Sequence, residues 1–135
     1  MTFSVDLPRE LDSAATARRA VDDLNAELPR DQIGDVRLLV SELVTNSLRH
    51  AGLRPEDSIT LSVAVADHHV RVEVRDPGNG FELAGSADDP DTVDGWGLYL
   101  VATLADRWGV ERSDAATANV VWFELDRTPD LDAAA

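Results

Sequence analysis

Neither cysteine nor lysine occurs in this 135-residue chain. Without cysteine there is no disulfide framework, no thiolate metal site and no cysteine nucleophile. Without lysine, a phosphate loop ending in Gly-Lys-Ser/Thr is excluded. Positive charge is scarce altogether: twelve bases, all Arg, stand against 26 acids and leave a formal net charge of −14. Such a chain is repelled by a phosphate backbone, because nucleic-acid binding needs clustered cations that displace counterions. Anionic membrane surfaces are disfavoured for the same reason. Long apolar runs are also missing, and the amino end has no basic stretch followed by an apolar core. A soluble cytoplasmic protein is the expectation. The 44% of hydrophobic residues suffices for a core, and the length suits one domain.

Periodicity supplies the elements. Phe3–Leu7 alternates as a half-buried strand does and is ended by Pro8. Asp12 or Ser13 caps a helix expected to run to Leu28, before Pro29. A second helix is predicted from Asp31 to His50, stopped by Ala51-Gly52. Ser58–Ala66 and Val70–Val74 alternate around a short polar link, the pattern of an antiparallel hairpin. Phe81–Asp94 reads as an acidic loop, and Leu98–Trp108 as a third helix. Val110–Arg112 and Val120–Leu125 complete the strands. This order predicts an α+β two-layer sandwich, a mixed or antiparallel sheet with helices on one face. The domain is expected over 1–127, with 128–135 an acidic tail.

Three clusters can carry chemistry. On the second helix, Glu42, Asn46, Arg49 and His50 return to one side, while Val36, Val40, Leu43, Val44 and Ser47 face the sheet. Leu38 and Leu39 flank the polar stripe and are expected to cover it partly. An amide oxygen suits a hard Mg²⁺ ion that also holds phosphates. A carboxylate one turn away suits a general base, and Arg49 can reach phosphate oxygens. By itself the stripe reads first as a solvated helix face. The second cluster, Asp76-Pro77-Gly78-Asn79-Gly80, ends a strand. A bare turn accounts for the glycines. A flat ligand approaching the backbone accounts for the glycines and also for the Asp, which can accept from the exocyclic amine of adenine. The third cluster, Gly95-Trp96-Gly97, leads into a helix whose first N–H groups attract anions. The two glycine pairs are too far apart for a dinucleotide fingerprint. His68-His69 reads as a hairpin turn rather than a metal site, and Trp96, Trp108 and Trp122 as packing residues.

Taken together and in this order, Glu42…Asn46, Asp76-x-Gly78-x-Gly80 and Gly95-x-Gly97-Leu98 resemble the N box and two glycine boxes of the GHKL superfamily of ATP-binding domains. The resemblance spans roughly Phe3 to Leu125 and is closest to the stand-alone anti-sigma factor serine kinases. It implies the Bergerat fold and a kinase that uses ATP and Mg²⁺. It further implies that Asn46 ligates Mg²⁺, Glu42 is the base and Asp76 reads the adenine amine. Gly78 and Gly80 would make room for the ring, with Asn119 supporting a water-mediated contact to it. Gly95, Gly97 and the Leu98 backbone would contact phosphates beside Arg49 and His50. The implied partners are a sigma factor and a STAS-domain antagonist that receives the phosphoryl group, with a homodimer plausible. One departure stands out. The 14-residue lid from Phe81 to Asp94 holds no base, where such kinases commonly carry an Arg, and it contains Asp88, Asp89, Asp91 and Asp94. That composition also suits a non-catalytic module of the same fold that binds a basic partner.

Overall fold

A computed structural model of the chain describes residues 1–50, 54–77, 96–113 and 118–127. Among the described residues nine elements follow one another: β1 (Thr2–Pro8), α1 (Ser13–Asp22), a 3₁₀ turn (Asp23–Ala26), α2 (Arg30–His50), β2 (Ser58–Val65), β3 (His69–Asp76), α3 (Trp96–Leu104), β4 (Arg107–Ser113) and β5 (Ala118–Asp126). The strands form one five-stranded sheet in the order β1-β2-β3-β5-β4. Each neighbouring pair is antiparallel. The expected α+β sandwich is therefore observed, with the antiparallel option realised.

Alternation drives this layering. Ile59, Leu61 and Val63 on β2, Val70, Val72 and Val74 on β3, and Val121, Phe123 and Leu125 on β5 all point inward. They share one cluster with Val36, Val40, Leu43 and Val44 of α2, Ala17 and Val21 of α1, and Val101 of α3. Burying a side chain of this size contributes roughly 1.5–3 kcal/mol, so the stripe on α2 alone fixes that helix to the sheet.

The opposite face of the sheet is polar and cross-linked. Glu124 accepts from Arg107 Nε at 2.7 Å and from Arg71 Nη1 at 3.1 Å. Arg107 also pairs with Asp126. The Arg71 guanidinium lies 4.2 Å from the centroid of the Trp122 ring.

Some boundaries differ from those expected. The first helix stops at Asp22 and tightens into the 3₁₀ turn rather than reaching Leu28. Pro29 holds the preceding residue out of helical geometry, and the tighter winding still turns Leu24 and Leu28 into the core. The third helix begins at Trp96, not Leu98, and ends at Leu104. Trp108 belongs to β4, because Asp106 N–H already donates to the Glu124 carbonyl and Arg107 pairs across to Glu124. Cross-strand pairing thus overrides the helical pattern of the last four expected positions.

Candidate functional site

α2 packs across β3 and alongside α3. Its inward stripe, Val36, Val40, Leu43 and Val44, is apolar until the last turns, where Ser47 takes the next position. β3 repeats the pattern: Val70, Val72 and Val74 point inward, and then Asp76 does. Asn119 of β5 sits directly opposite Asp76 in the ladder. Three polar side chains thus end the apolar stripes of α2, β3 and β5.

They are hydrogen-bonded to one another. Ser47 Oγ donates to Asp76 Oδ2 at 2.8 Å, and Asn119 Nδ2 donates to Asp76 Oδ1 at 3.4 Å. All three residues are buried, Ser47 at 6%, Asp76 at 4% and Asn119 at 3% exposure. Burying a carboxylate costs several kcal/mol unless donors replace its water, roughly 1.5–3 kcal/mol for each charged hydrogen bond. Ser47 and Asn119 are such donors, one on each carboxylate oxygen. A carboxylate offers about four lone-pair sites and can accept from several donors at once.

Residue i+1 on a helix is turned about 100° from residue i. Asn46 therefore leaves the core where Ser47 enters it, and it is half-buried, as is Glu42 one turn earlier. Arg49 is exposed near the carboxyl end of α2. Leu38 and Leu39 do not act as a pair of covers. Leu39 is fully buried, whereas Leu38 is 41% exposed, because one residue's rotation carries it out of the core stripe.

Gly97 and Leu98 lie in the first turn of α3, where backbone N–H groups have no partner within the helix. Gly78, Gly80, Gly95 and the lid 81–94 lie outside the described residues, as do the side chains of His50, Trp96 and Leu98. Among the sequence-expected residues, the structure brings Asp76 and Asn119 into contact and sets Glu42 and Asn46 on the same helix as their third partner.

Ser47, which sequence reading turned toward the sheet but left without a role, is the donor to Asp76. Its signal was a lone hydroxyl in an apolar helical stripe, since a buried polar group needs a partner. Among the described residues no cluster of three or more His, Asp or Glu side chains could hold a metal ion by itself. The Asn46 carboxamide is an oxygen donor of the kind a Mg²⁺ ion takes beside phosphate oxygens and waters. Among the described residues no helix is long and apolar enough to cross a membrane.

Comparison with known proteins agrees with the fold. The family model of the histidine kinase-like ATPase domain matches residues 7–125, and the chain belongs to that family. Membership of an ATPase family implies ATP binding. The chain is 27% identical over 106 residues to the serine-protein kinase RsbW of Staphylococcus epidermidis, covering 69% of this chain and 67% of that one. Against RsbW of Listeria monocytogenes the identity is 27% over 118 residues, with 77% and 75% covered. Against the anti-sigma F factor of Clostridium botulinum it is 42% over 71 residues, half of each chain. A solved histidine kinase domain, from the blue-light-activated kinase of Erythrobacter litoralis EL346, shares the fold at a TM-score of 0.59 and 21% identity. The match covers 87% of this chain, which spans 60% of that domain's length.

Proposed function

We propose that this protein is an ATP- and Mg²⁺-dependent protein serine/threonine kinase that acts as an anti-sigma factor and phosphorylates a STAS-domain antagonist. The observation that carries the reading is Asp76, a buried carboxylate at a strand end, held by Ser47 and Asn119 where helix and sheet meet. A carboxylate fixed in this way reads an exocyclic amine, which adenine has and guanine lacks at that position. The names of the relatives, serine-protein kinase and anti-sigma F factor, support the same reading.

In this reading Asp76 orients the base, and Gly78 and Gly80 leave room for the ring. The first-turn N–H groups at Gly97 and Leu98, together with Gly95, Arg49 and His50, hold the phosphates. Asn46 would bind Mg²⁺ through its amide oxygen, and Glu42 would take the proton from the attacking hydroxyl. When bound, Mg·ATP supplies the γ-phosphoryl group with part of its charge neutralised.

The experiment is label transfer from γ-labelled ATP to a purified STAS-domain partner. We expect transfer by the wild type and none by Asn46→Ala or Glu42→Gln. A stable protein whose melting temperature ignores millimolar Mg·ATP contradicts the proposal. A second reading, a non-catalytic module that binds a basic partner, is favoured by the base-free acidic lid. It requires partner binding that survives Asn46→Ala and falls steeply with salt.

A further inference from the structure

The 3₁₀ turn joins α1 to α2 at a corner that the two helices do not fill. A groove of about 630 Å³ remains there, lined by Asp22, Leu28, Arg30, Ile33, Gly34 and Arg37. Arg30, Ile33, Gly34 and Arg37 stand at i, i+3, i+4 and i+7 of α2, and so share one face of that helix. The floor is apolar: Leu28 is buried, and Ile33 is half-buried against the core. Gly34 leaves the middle open, since a β-carbon built on it meets nothing within 4 Å.

Two exposed guanidinium groups stand on the rim, about 10 Å apart along the helix axis at 1.5 Å per residue. Arg37 spends its Nε on Asp22 at 3.1 Å, which leaves its two Nη groups for a second carboxylate. Arg30 makes no hydrogen bond or ion pair among the described residues. The groove therefore asks for an apolar side chain with an acid on either side of it.

The chain itself leaves the sheet beside this helix. Gln32 Nε2 donates to the Asp126 carbonyl at 2.7 Å and ties the end of β5 to the first turn of α2. The Arg127 N–H then donates to the His68 carbonyl at 2.9 Å, and Arg127 Nη1 to that of Ala66 at 3.2 Å. Two buried atoms at this exit, Gln32 Oε1 and Arg127 Nε, have no hydrogen-bond partner among the described residues. Polar groups of the segment that follows can supply both. That segment, residues 128–135, reads Thr-Pro-Asp-Leu-Asp-Ala-Ala-Ala and lies outside the described residues.

Reach and charge both point to it as the occupant. Gln32 faces the opposite side of α2 from Arg30, so the path crosses a helix about 10–12 Å wide with its side chains. Four residue steps, from Asp126 to Asp130, span about 13–14 Å when extended. We infer that the segment Asp130-Leu131-Asp132 of this chain docks in the groove between α1 and α2. Leu131 points down onto Leu28 and Ile33. Its neighbours face the other way, at the level of the rim, where Arg30 meets Asp130 and Arg37 meets Asp132. So short a link presents the segment at an effective concentration of about millimolar, which favours it over an untethered partner. The docking is separate from the Ser47–Asp76–Asn119 cluster and does not depend on nucleotide.

Two measurements test it. In the wild type, methyl-labelled nuclear magnetic resonance should show direct contacts between the Leu131 and Ile33 methyl groups. The second uses the absence of native cysteine: Gly34→Cys places one thiol on the groove floor, where its β-carbon has room. Adding Leu131→Ser should speed alkylation of that thiol by N-ethylmaleimide about tenfold, because the buried leucine that covers it is lost. Asp130→Asn with Asp132→Asn should speed it as well, by a smaller factor. The methyl contacts are read in the wild type, so they stand whether or not a variant folds. Absence of those contacts overturns the inference, and so does an alkylation rate that Leu131→Ser leaves unchanged. Contacts seen only between differently labelled copies also overturn it, since the groove would then hold the segment of another copy.

Discussion

Ser47 Oγ reaches Asp76 Oδ2 at 2.8 Å across the boundary between helix and sheet, the point where α2 and β3 both exchange valine for a polar residue. The bond links the stability of the fold to the site. Ser47→Ala leaves the Asp76 carboxylate buried with one donor fewer, which should cost about 1–3 kcal/mol. Asp76→Ala should cost at least as much, and the double variant less than the sum, because both substitutions remove the same bond. Chemical denaturation of the four proteins checks this; strictly additive losses would mean that the two residues do not cooperate.

Glu42 and Asn46 are different, because they are half-buried on the side of α2 that leaves the core. Glu42→Gln and Asn46→Ala should each change unfolding free energy by no more than about 0.5 kcal/mol, as substitutions outside the packed core usually do. Phosphoryl transfer should nevertheless fall at least about 100-fold in Glu42→Gln, the typical loss for a general base. Asn46→Ala should also lose the stabilisation that saturating Mg·ATP gives, about 2.7 kcal/mol at 100 times the dissociation constant. Melting curves with and without nucleotide, paired with label transfer, separate these effects. An Asn46→Ala protein that is stabilised by Mg·ATP as the wild type is would remove that residue from the site.

Most of the layering was legible in the sequence because period two and period 3.6 were cleanly written. Ile59-x-Leu61-x-Val63 and Val36…Val40…Leu43-Val44 admit one burial pattern each. Legibility failed where a long-range partner decides. Trp108 continues an apolar helical pattern, yet pairing with β5 claims it for a strand. Leu38 and Leu39 look equivalent as neighbours, but one rotation of about 100° separates solvent from core. At the site, Asp76 was visible as an acid at a strand end. The donors that hold it come from 29 and 43 residues away in the chain, a juxtaposition that only the register of β3 with β5 and the seating of α2 reveal.

On the outer face, Arg107 holds the Glu124 carboxyl below its usual range, with Arg71 and then His69 adding to the effect against the opposing cost of burial. Asp126 is lowered as well, chiefly by Arg107. A carboxylate held low in the folded state contributes stability that is complete above the unfolded value, about pH 4.3 for Glu. That contribution is lost as pH falls through the lower folded value. Wild type should therefore exceed Glu124→Gln by about 1 kcal/mol near pH 7, the scale of a partly exposed ion-pair network. The gap should close on acidification below about pH 4. Melting temperatures from pH 3 to 7 measure it, and a constant gap across that range would detach Glu124 from the acid response.

Gly109 on β4 faces Trp122 on β5 across the ladder. A β-carbon added there would lie 2.8–2.9 Å from Nε1, Cε2 and Cζ2 of the indole, well inside contact distance. The backbone is not in the left-handed region that favours glycine, so the requirement is one of space alone. The ring cannot yield freely, because it also carries the Arg71 guanidinium at 4.2 Å. Gly109→Ala must lift the indole and disturb that stack, at an expected cost of about 1–3 kcal/mol. Trimming the ring should relieve the conflict. Trp122→Leu is destabilising by itself through lost packing, but Gly109→Ala added to it should cost less than in the wild type. The decisive comparison is therefore the alanine penalty in the two backgrounds, measured by denaturant titration. A penalty of equal size in both would show that something other than the indole requires glycine at 109.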